Sequence, residues 1–225
     1  MLTLRTLTYT SMALRILLAI LLGGIIGMER GMKNRPAGLR TYMLVCLGAC
    51  IVMLTNQYVY QAYGVGDPVR MGAQVISGIG FLGAGTIIVT SRNQIKGLTT
   101  AAGLWASACV GLSIGIGLYE VAILGSLGVF AILMLLGEVD IRLHKNTRQI
   151  DVYVELQADT SIRSFLAFVR THNLTPSNLL PQSDNAGNAG LIAFTVTLKS
   201  PRRRPHEEAM LILRTMEGIA YIEEL

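Results

Sequence analysis

The sequence predicts a membrane-embedded all-α bundle of about five transmembrane helices, followed by a small α+β ferredoxin-like domain of order βαββαβ. Three observations carry this expectation. The 225 residues are 52% apolar and only 15% charged, with a mean hydropathy of +0.51, whereas about a quarter of the residues of ordinary soluble domains are charged. The charge is also unevenly placed: from Leu98 to Gly137 the only acid or base is Glu120. From residue 150 onward the apolar pattern changes to short alternating and helical runs. A transmembrane domain over 1–140 and a second domain over 150–225 are expected.

A spanning helix needs about 20 mostly apolar residues, and five stretches fit: roughly 12–28, 41–62, 71–90, 98–117 and 120–137. The first is short and recruits Arg15, whose stem can snorkel to the interface. It ends in Gly27, Met28, Glu29 and Arg30 with no small-residue cleavage site, so it reads as a retained span and not a secretory signal. Lys and Arg favour cytoplasmic loops. Arg30, Lys33, Arg35 and Arg40 lie in the first loop, Arg92 and Lys96 in the third, and Arg142, Lys145 and Arg148 after the last span, against Arg70 alone on the opposite side. The N-terminus is thus expected outside and the second domain in the cytoplasm. Tyr9, Tyr58, Tyr60, Tyr63 and Tyr119 collect at the outer interface, where amphipathic rings are favoured. The net charge of +5 reports the basic loops, and no nucleic-acid partner is expected.

The stretch "SGIGFLGAGTII" contains Gly78, Gly80 and Gly83 in the spacing of a dinucleotide-binding loop. That reading requires a preceding strand and an acidic residue about 20 residues on; an apolar run precedes, and "LTTAAG" lies downstream. In a spanning helix, Gly78, Gly80, Gly83 and Gly85 serve instead to let backbones approach, because close packing joins helices in lipid. Thr99, Gly103, Ser107, Gly111 and Gly115 form a four-residue small stripe on the fourth span. Ala73, Ser77, Gly80 and Ala84 give the third span a matching face, so these two helices are expected to pack together, with Ala19, Gly23 and Gly27 forming a seam on the first. The alternative is that "GIGFLGAG" breaks the helix and lets carbonyls line an ion path.

The centres of the proposed spans lack charged residues. Gln74 and Ser77, with Asn56 and Gln57, are the main polar candidates, for interhelical hydrogen bonding or for a pathway. At the cytoplasmic edge, Glu29 can pair with Arg30, Arg35 or Arg40, beside Thr99 and Thr100, which can cap a helix; together they suggest an ordered docking surface. Cys46, Cys50 and Cys109 read as packing residues, and no metal site is expected from them or from His144, His172 and His206.

The blocks "GMERGMKNRPAGLRT", "AQVISGIGFLGAGTII" and "GLTTAAGLWASACVGLSIGIGLYE" resemble, in order, those of the MgtC/SapB family over about residues 12–137. The resemblance implies a bacterial inner-membrane protein linked to adaptation to low magnesium, acid stress and growth inside host cells. It implies action on other membrane proteins, including the F-type ATP synthase. Glu29, Arg30, Pro36, Gly38, Arg40, Thr41, Gln74, Gly78, Gly80, Gly83, Gly85, Thr99, Thr100 and Trp105 fall in the matching blocks, and no chemical role transfers to them.

In the second domain, "IDVYVEL" alternates as a half-buried strand, and Asp159, Thr160 and Ser161 precede a helix containing Phe165 and Val169. A strand within 174–182, the turn "NAGNAG", the strand "LIAFTVTL", a helix opened by Pro205 and a last strand at 218–224 complete the order. This half resembles the ACT-like domain attached to some MgtC relatives, which implies a homodimer. The turn "QADTS" lacks the glycine of amino-acid-binding versions, and "PRRRP" reads as a basic loop, with an anion or lipid headgroup as its possible ligand. A membrane regulator and a Mg²⁺ or other small-ion transporter through the glycine-rich helices are the two functions to separate. No cofactor is expected, nor an enzyme, since no nucleophile, base and orienting group cluster together.

Overall fold

The computed structural model describes residues 5–64, 66–90, 94–136, 148–181, 191–201 and 206–225. The chain divides into two compact units, residues 1–88 with 95–137, and residues 89–94 with 138–225. The turn "NAGNAG", Pro205, the arginines of "PRRRP", Arg92, Arg142, Lys145 and His144 lie outside the described residues.

Unit one is a membrane helical bundle. Its helices are α1 (Tyr9–Met32), α2 (Leu39–Tyr63), α3 (Arg70–Thr86), α4 (Leu98–Ile116) and α5 (Tyr119–Ala131), the last continuing as a π-helical turn over Ile132–Leu136. Among the described residues, four stretches are long and apolar enough to cross a membrane: α1, α2, α4 and Tyr119–Leu136. The expected third span is shorter than its apolar run. Helix α3 has 17 residues, about 25 Å at 1.5 Å per residue. Its β-branched continuation leaves the helix at Ile87, and Ile88–Val89 (β1) pairs with Ile95–Lys96 (β2).

Helix α1 starts with a capping box in which the Thr8 hydroxyl accepts from the Ser11 amide at 3.2 Å and the Ser11 hydroxyl accepts from the Thr8 amide at 2.9 Å. The expected capping of α4 by Thr99 or Thr100 is not observed. Gly97, at φ 98°, holds the N-cap position, and a Cβ there would collide with the Thr86 carbonyl.

The small-residue seams exist, but the helix between them is α2. A methyl group at Gly23 would lie 2.8 Å from Cys46 Cβ, and one at Gly27 2.8 Å from Tyr42 Cβ. On the other side of α2, a Cβ on Gly111 would lie 2.9 Å from Ala49 Cβ, and one on Gly115 2.6 Å from the Cys50 carbonyl oxygen. Gly103 faces the Tyr42 ring, and the Ser107 hydroxyl donates to the Tyr42 carbonyl at 3.3 Å. The expected pairing of this whole stripe with α3 is thereby corrected: the bulky, fully buried Tyr42 needs bare backbone on both sides, and only Gly27 and Gly103 offer it. Helix α3 touches α4 through Gly83, whose Cβ would sit 3.4 Å from that of Ala101.

Unit two contains β3 (Gln149–Leu156), α6 (Ile162–Thr171), β4 (Thr175–Pro181), β5 (Ile192–Lys199), α7 (His206–Arg214) and β6 (Ile219–Glu224). The sheet order β4-β5-β3-β6 is antiparallel throughout, the ferredoxin-like arrangement expected. Ser161 caps α6 by accepting from the Ser164 amide at 3.1 Å. Phe165, Val169, Ala209 and Leu213 from the helices close over Val152, Val154, Phe194 and Val196 from the sheet, with Phe165 and Phe194 edge-on at 5.2 Å.

The seam gives two substitutions of opposite sign. Gly111→Ala is expected to destabilise the detergent-solubilised bundle by about 1–3 kcal/mol through overpacking. Gly80→Ala, with open space around its Cβ, is expected to stabilise it by about 0.5–1 kcal/mol through helix propensity. Thermal unfolding followed by size-exclusion chromatography reads both, and equal melting temperatures would contradict the seam.

Candidate functional site

The buried charged residues of the bundle gather in two knots, one at each end, with a glycine-lined seam between them that also holds the Ser107 hydroxyl. The first knot is built on Arg15. Contrary to the snorkelling expected from its sequence position, this side chain is fully buried. Its Nη1 donates to Gln57 Oε1 at 2.8 Å and to the Gly115 carbonyl at 2.7 Å. Nε donates to the Tyr119 hydroxyl at 3.1 Å, and Nη2 to the Arg5 carbonyl at 2.9 Å. One guanidinium therefore joins α1, α2, α4 and the start of α5. The Gly115 carbonyl lies in the last turn of α4, where helix carbonyls lack intrahelical partners and the helix dipole favours a cation. Tyr119 turns inward onto Arg15, its ring centroid 5.9 Å from Cζ, while Tyr9, Tyr58, Tyr60 and Tyr63 are exposed as expected.

The second knot, at the opposite ends of the same helices, is built on Glu29 and Arg30, both buried. Arg30 Nε and Nη2 fork onto the Glu29 carboxylate, Nη2 at 2.9 Å, and Nη2 also reaches the Leu133 carbonyl in the π-helical turn at 3.3 Å. Lys33 Nζ pairs with Glu29 Oε1 at 2.8 Å. Of the partners expected for Glu29, only Arg30 is engaged; Arg35 and Arg40 are exposed. Thr100 is buried and its carbonyl accepts from the Tyr42 hydroxyl at 3.4 Å, whereas Thr99 is exposed.

Helix α3 is different. Gly78, Gly80 and Gly85 have nothing within 4 Å of the Cβ each would carry. Gln74, Ser77, Ala73 and Ala84 are exposed on the same helix, beside Phe81 at 83% exposure. Only Gly72, Ile79 and Gly83 are buried. The ten intramembrane candidates therefore separate: Gly103, Ser107, Gly111 and Gly115 sew α4 to α2, Gly83 joins α3 to α4, and Gln74, Ser77, Gly78, Gly80 and Gly85 face outward. Gln57, a polar candidate for interhelical hydrogen bonding, makes such a bond to Arg15, whereas the sequence pattern does not mark Tyr42, Arg15 or Tyr119 as site residues. Their legible signal was a lone arginine inside an apolar run, with a glutamine and a tyrosine at the matching ends of other spans. Asn56 is also buried, donating to the Pro68 carbonyl and pinning the α2–α3 connection. Cys46 and Cys50 are buried in the seam, as packing residues would be.

Arg15→Lys keeps the charge but loses the planar fork, so at least one buried acceptor is stranded at a cost of about 1–3 kcal/mol. A melting temperature equal to that of the parent protein would refute the knot. Glu29→Gln is expected to destabilise more than Lys33→Ala, because Arg30 is buried with its carboxylate while Lys33 is partly exposed; thermal unfolding of the two variants provides the ranking.

The MgtC family matches residues 16–141. YhiD of Escherichia coli strain K12, provisionally named a magnesium transporter, is 43% identical over 135 residues, covering 58% of this chain and 62% of that protein. SapB of Bacillus subtilis is 42% identical over 114 residues, 48% of this chain and 49% of its own length. Protein MgtC of Brucella abortus is 37% identical over 175 residues, 72% of each chain. The match thus spans about three fifths of the E. coli relative and about half of the B. subtilis one. No solved structure matches the chain. Both the extent of the family match and the Brucella relative establish that this chain, with its membrane helical bundle, belongs to the MgtC family.

Proposed function

We propose that this protein regulates other membrane proteins by docking a partner helix on the outer face of α3, in adaptation to low magnesium, acid stress or growth in host cells. The observation that supports this reading most strongly is the contrast among its glycines. Gly23, Gly27, Gly103, Gly111 and Gly115 are filled by neighbours within the bundle, whereas Gly78, Gly80 and Gly85 are bare. Bare backbone, an exposed amide at Gln74 and a hydroxyl at Ser77 gain little from lipid tails, but they suit close helix packing and interhelical hydrogen bonding. The partner class is a helical membrane protein, and the family resemblance makes an F-type ATP synthase the first candidate. The basic first loop and the positive-inside rule support an inner-membrane location with the N-terminus outside and the ferredoxin-like domain cytoplasmic.

The second reading is a Mg²⁺ transporter, favoured by the name of the E. coli relative. Between the two knots the described interior is lined mostly by apolar residues, among them Ala19, Ile26, Cys46, Leu104 and Ile114, with the buried Ser107 hydroxyl already donating to the Tyr42 carbonyl, a poor path for a hydrated dication. Gln74 and Ser77 lie outside that interior, so a path using them needs a second wall.

Gly80→Leu and Gln74→Leu are expected to leave the melting temperature within about 1 kcal/mol of parent stability, as exposed substitutions do. Both should reduce in-membrane photocrosslinking to the partner by at least tenfold, about 1.4 kcal/mol of binding. Undiminished crosslinking in the folded variants would remove α3 as the docking face.

A further inference from the structure

We propose that the ferredoxin-like domain holds a site for a small organic ammonium ion, in a polar cavity of about 220 Å³ on the sheet face turned away from α6 and α7. Side chains alternate between the two faces of a strand. Along β5, Phe194, Val196 and Leu198 join the core beneath the helices, which sends Thr195 and Thr197 to the opposite face. There Thr197 lies opposite Asp151 of β3 on one side and Ser177 of β4 on the other, and Thr195 lies opposite Leu180. From Ser177 to Leu180 strand β4 advances three residues while β5 advances two. The extra residue makes a bulge, which bends its strand, and Asn178 within it takes φ 51°. The cavity lies beside this bulge, lined by Asp151, Asn178, Leu180, Thr195 and Thr197, together with Gln94 from residues 89–94 of the same unit.

The lining points to a ligand and to its charge. Thr195 is only 8% exposed, yet its hydroxyl has no hydrogen-bond partner among the described residues, and buried polar groups are normally paired. Asp151, whose carboxylate accepts from the Thr197 hydroxyl at 2.5 Å, supplies a negative charge with no Lys or Arg beside it among the described lining residues. That charge repels phosphates and carboxylates. A metal ion is poorly served, because no three His, Cys, Asp or Glu side chains converge among the described residues, whereas Ca²⁺ takes about six to eight oxygen ligands and Mg²⁺ a near-ideal octahedron. An ammonium group is less demanding. It is a compact charge with three rotatable donors, which match the Asp151 carboxylate and the hydroxyl oxygens of Thr195 and Thr197. Leu180 then offers apolar surface to a short carbon chain, and the Asn178 and Gln94 amides can bind a second polar group on it. The volume is several times that of one water, roughly 30 Å³, and below the roughly 300–1,000 Å³ of sites for drug-sized molecules, as a short-chain amine requires.

The test is isothermal titration calorimetry of the full chain in nanodiscs of phosphatidylcholine, a lipid without net charge. Putrescine, spermidine and butylamine are the probes, with magnesium chloride and inorganic phosphate as comparisons. Saturable binding of at least one amine is expected, weakened at least tenfold by Asp151→Asn and by Thr195→Val. Glu217→Gln, at an exposed carboxylate that does not line the cavity, should leave the affinity unchanged. Melting temperatures close to the parent's show that the variants fold, and Asp151→Asn, which keeps an oxygen to accept from Thr197, decides the matter even if Thr195→Val does not. A folded chain that binds none of the three amines, or binds them equally well after both substitutions, would overturn the proposal. Binding of magnesium or phosphate in place of the amines, lost in Asp151→Asn, would overturn it equally.

Discussion

The close approach of α2 to the helices on either side of it is the constraint on which the bundle depends. Lipid tails are as apolar as the side chains they would replace, so helices in a membrane gain little from the hydrophobic effect and must touch closely to adhere. Here the touching surfaces are set by what is missing. Tyr42 lies between Gly27 and Gly103, Cys46 between Gly23 and Gly111, and Cys50 against Gly115. Each rung sets a side-chain or backbone atom of α2 against bare backbone, and a single added methyl group would meet an atom it cannot displace cheaply.

The two arginine knots then hold the ends of that sandwich. Arg15 and Arg30, both on α1, donate to carbonyls of Gly115 and Leu133 near the C-terminal ends of other helical segments. Such carbonyls are left without intrahelical partners and in a membrane have no water to satisfy them. A buried guanidinium is tolerable because its donors are occupied, and a buried acceptor because it meets a cation. The charges of α1 thus complete the hydrogen bonding of its neighbours and fix their relative height, without placing an ionic group along the seam.

Much of this was legible in the sequence. Apolar run lengths located the helices, alternation gave the ferredoxin-like order, and four-residue spacing picked out the packing glycines of α1 and α4 but on α3 pointed to Ala73, Ser77, Gly80 and Ala84, all exposed. Which helix they pack against was not legible. The stripe on α4 and the small face of α3 have the same period, and spacing alone cannot reveal that Tyr42, a bulky residue in an otherwise ordinary span, claims the space beside Gly103. Arg15 was misplaced for a related reason. Its position near a helix end fits snorkelling, and only the convergence of Gln57, Tyr119 and Gly115 from distant parts of the chain makes burial affordable. The short α3 was hidden by the apolar Ile87, Ile88 and Val89, which extend the hydropathy run after the helix has ended.

The same physics separates used from unused surface. The seam glycines are occupied and the described interior between the knots holds no charged side chain, while α3 carries Gly78, Gly80, Gly85, Gln74 and Ser77 to the outside. This arrangement suits a protein that acts through a neighbour more than one that conducts through its own centre. Magnesium influx into liposomes containing the purified, correctly oriented protein tests that most directly, with empty liposomes and a Gln74→Leu variant as controls. The regulator account predicts influx equal to that of empty liposomes. Saturable influx that is lost in the variant would contradict it and make the outer face of α3 one wall of a transport path.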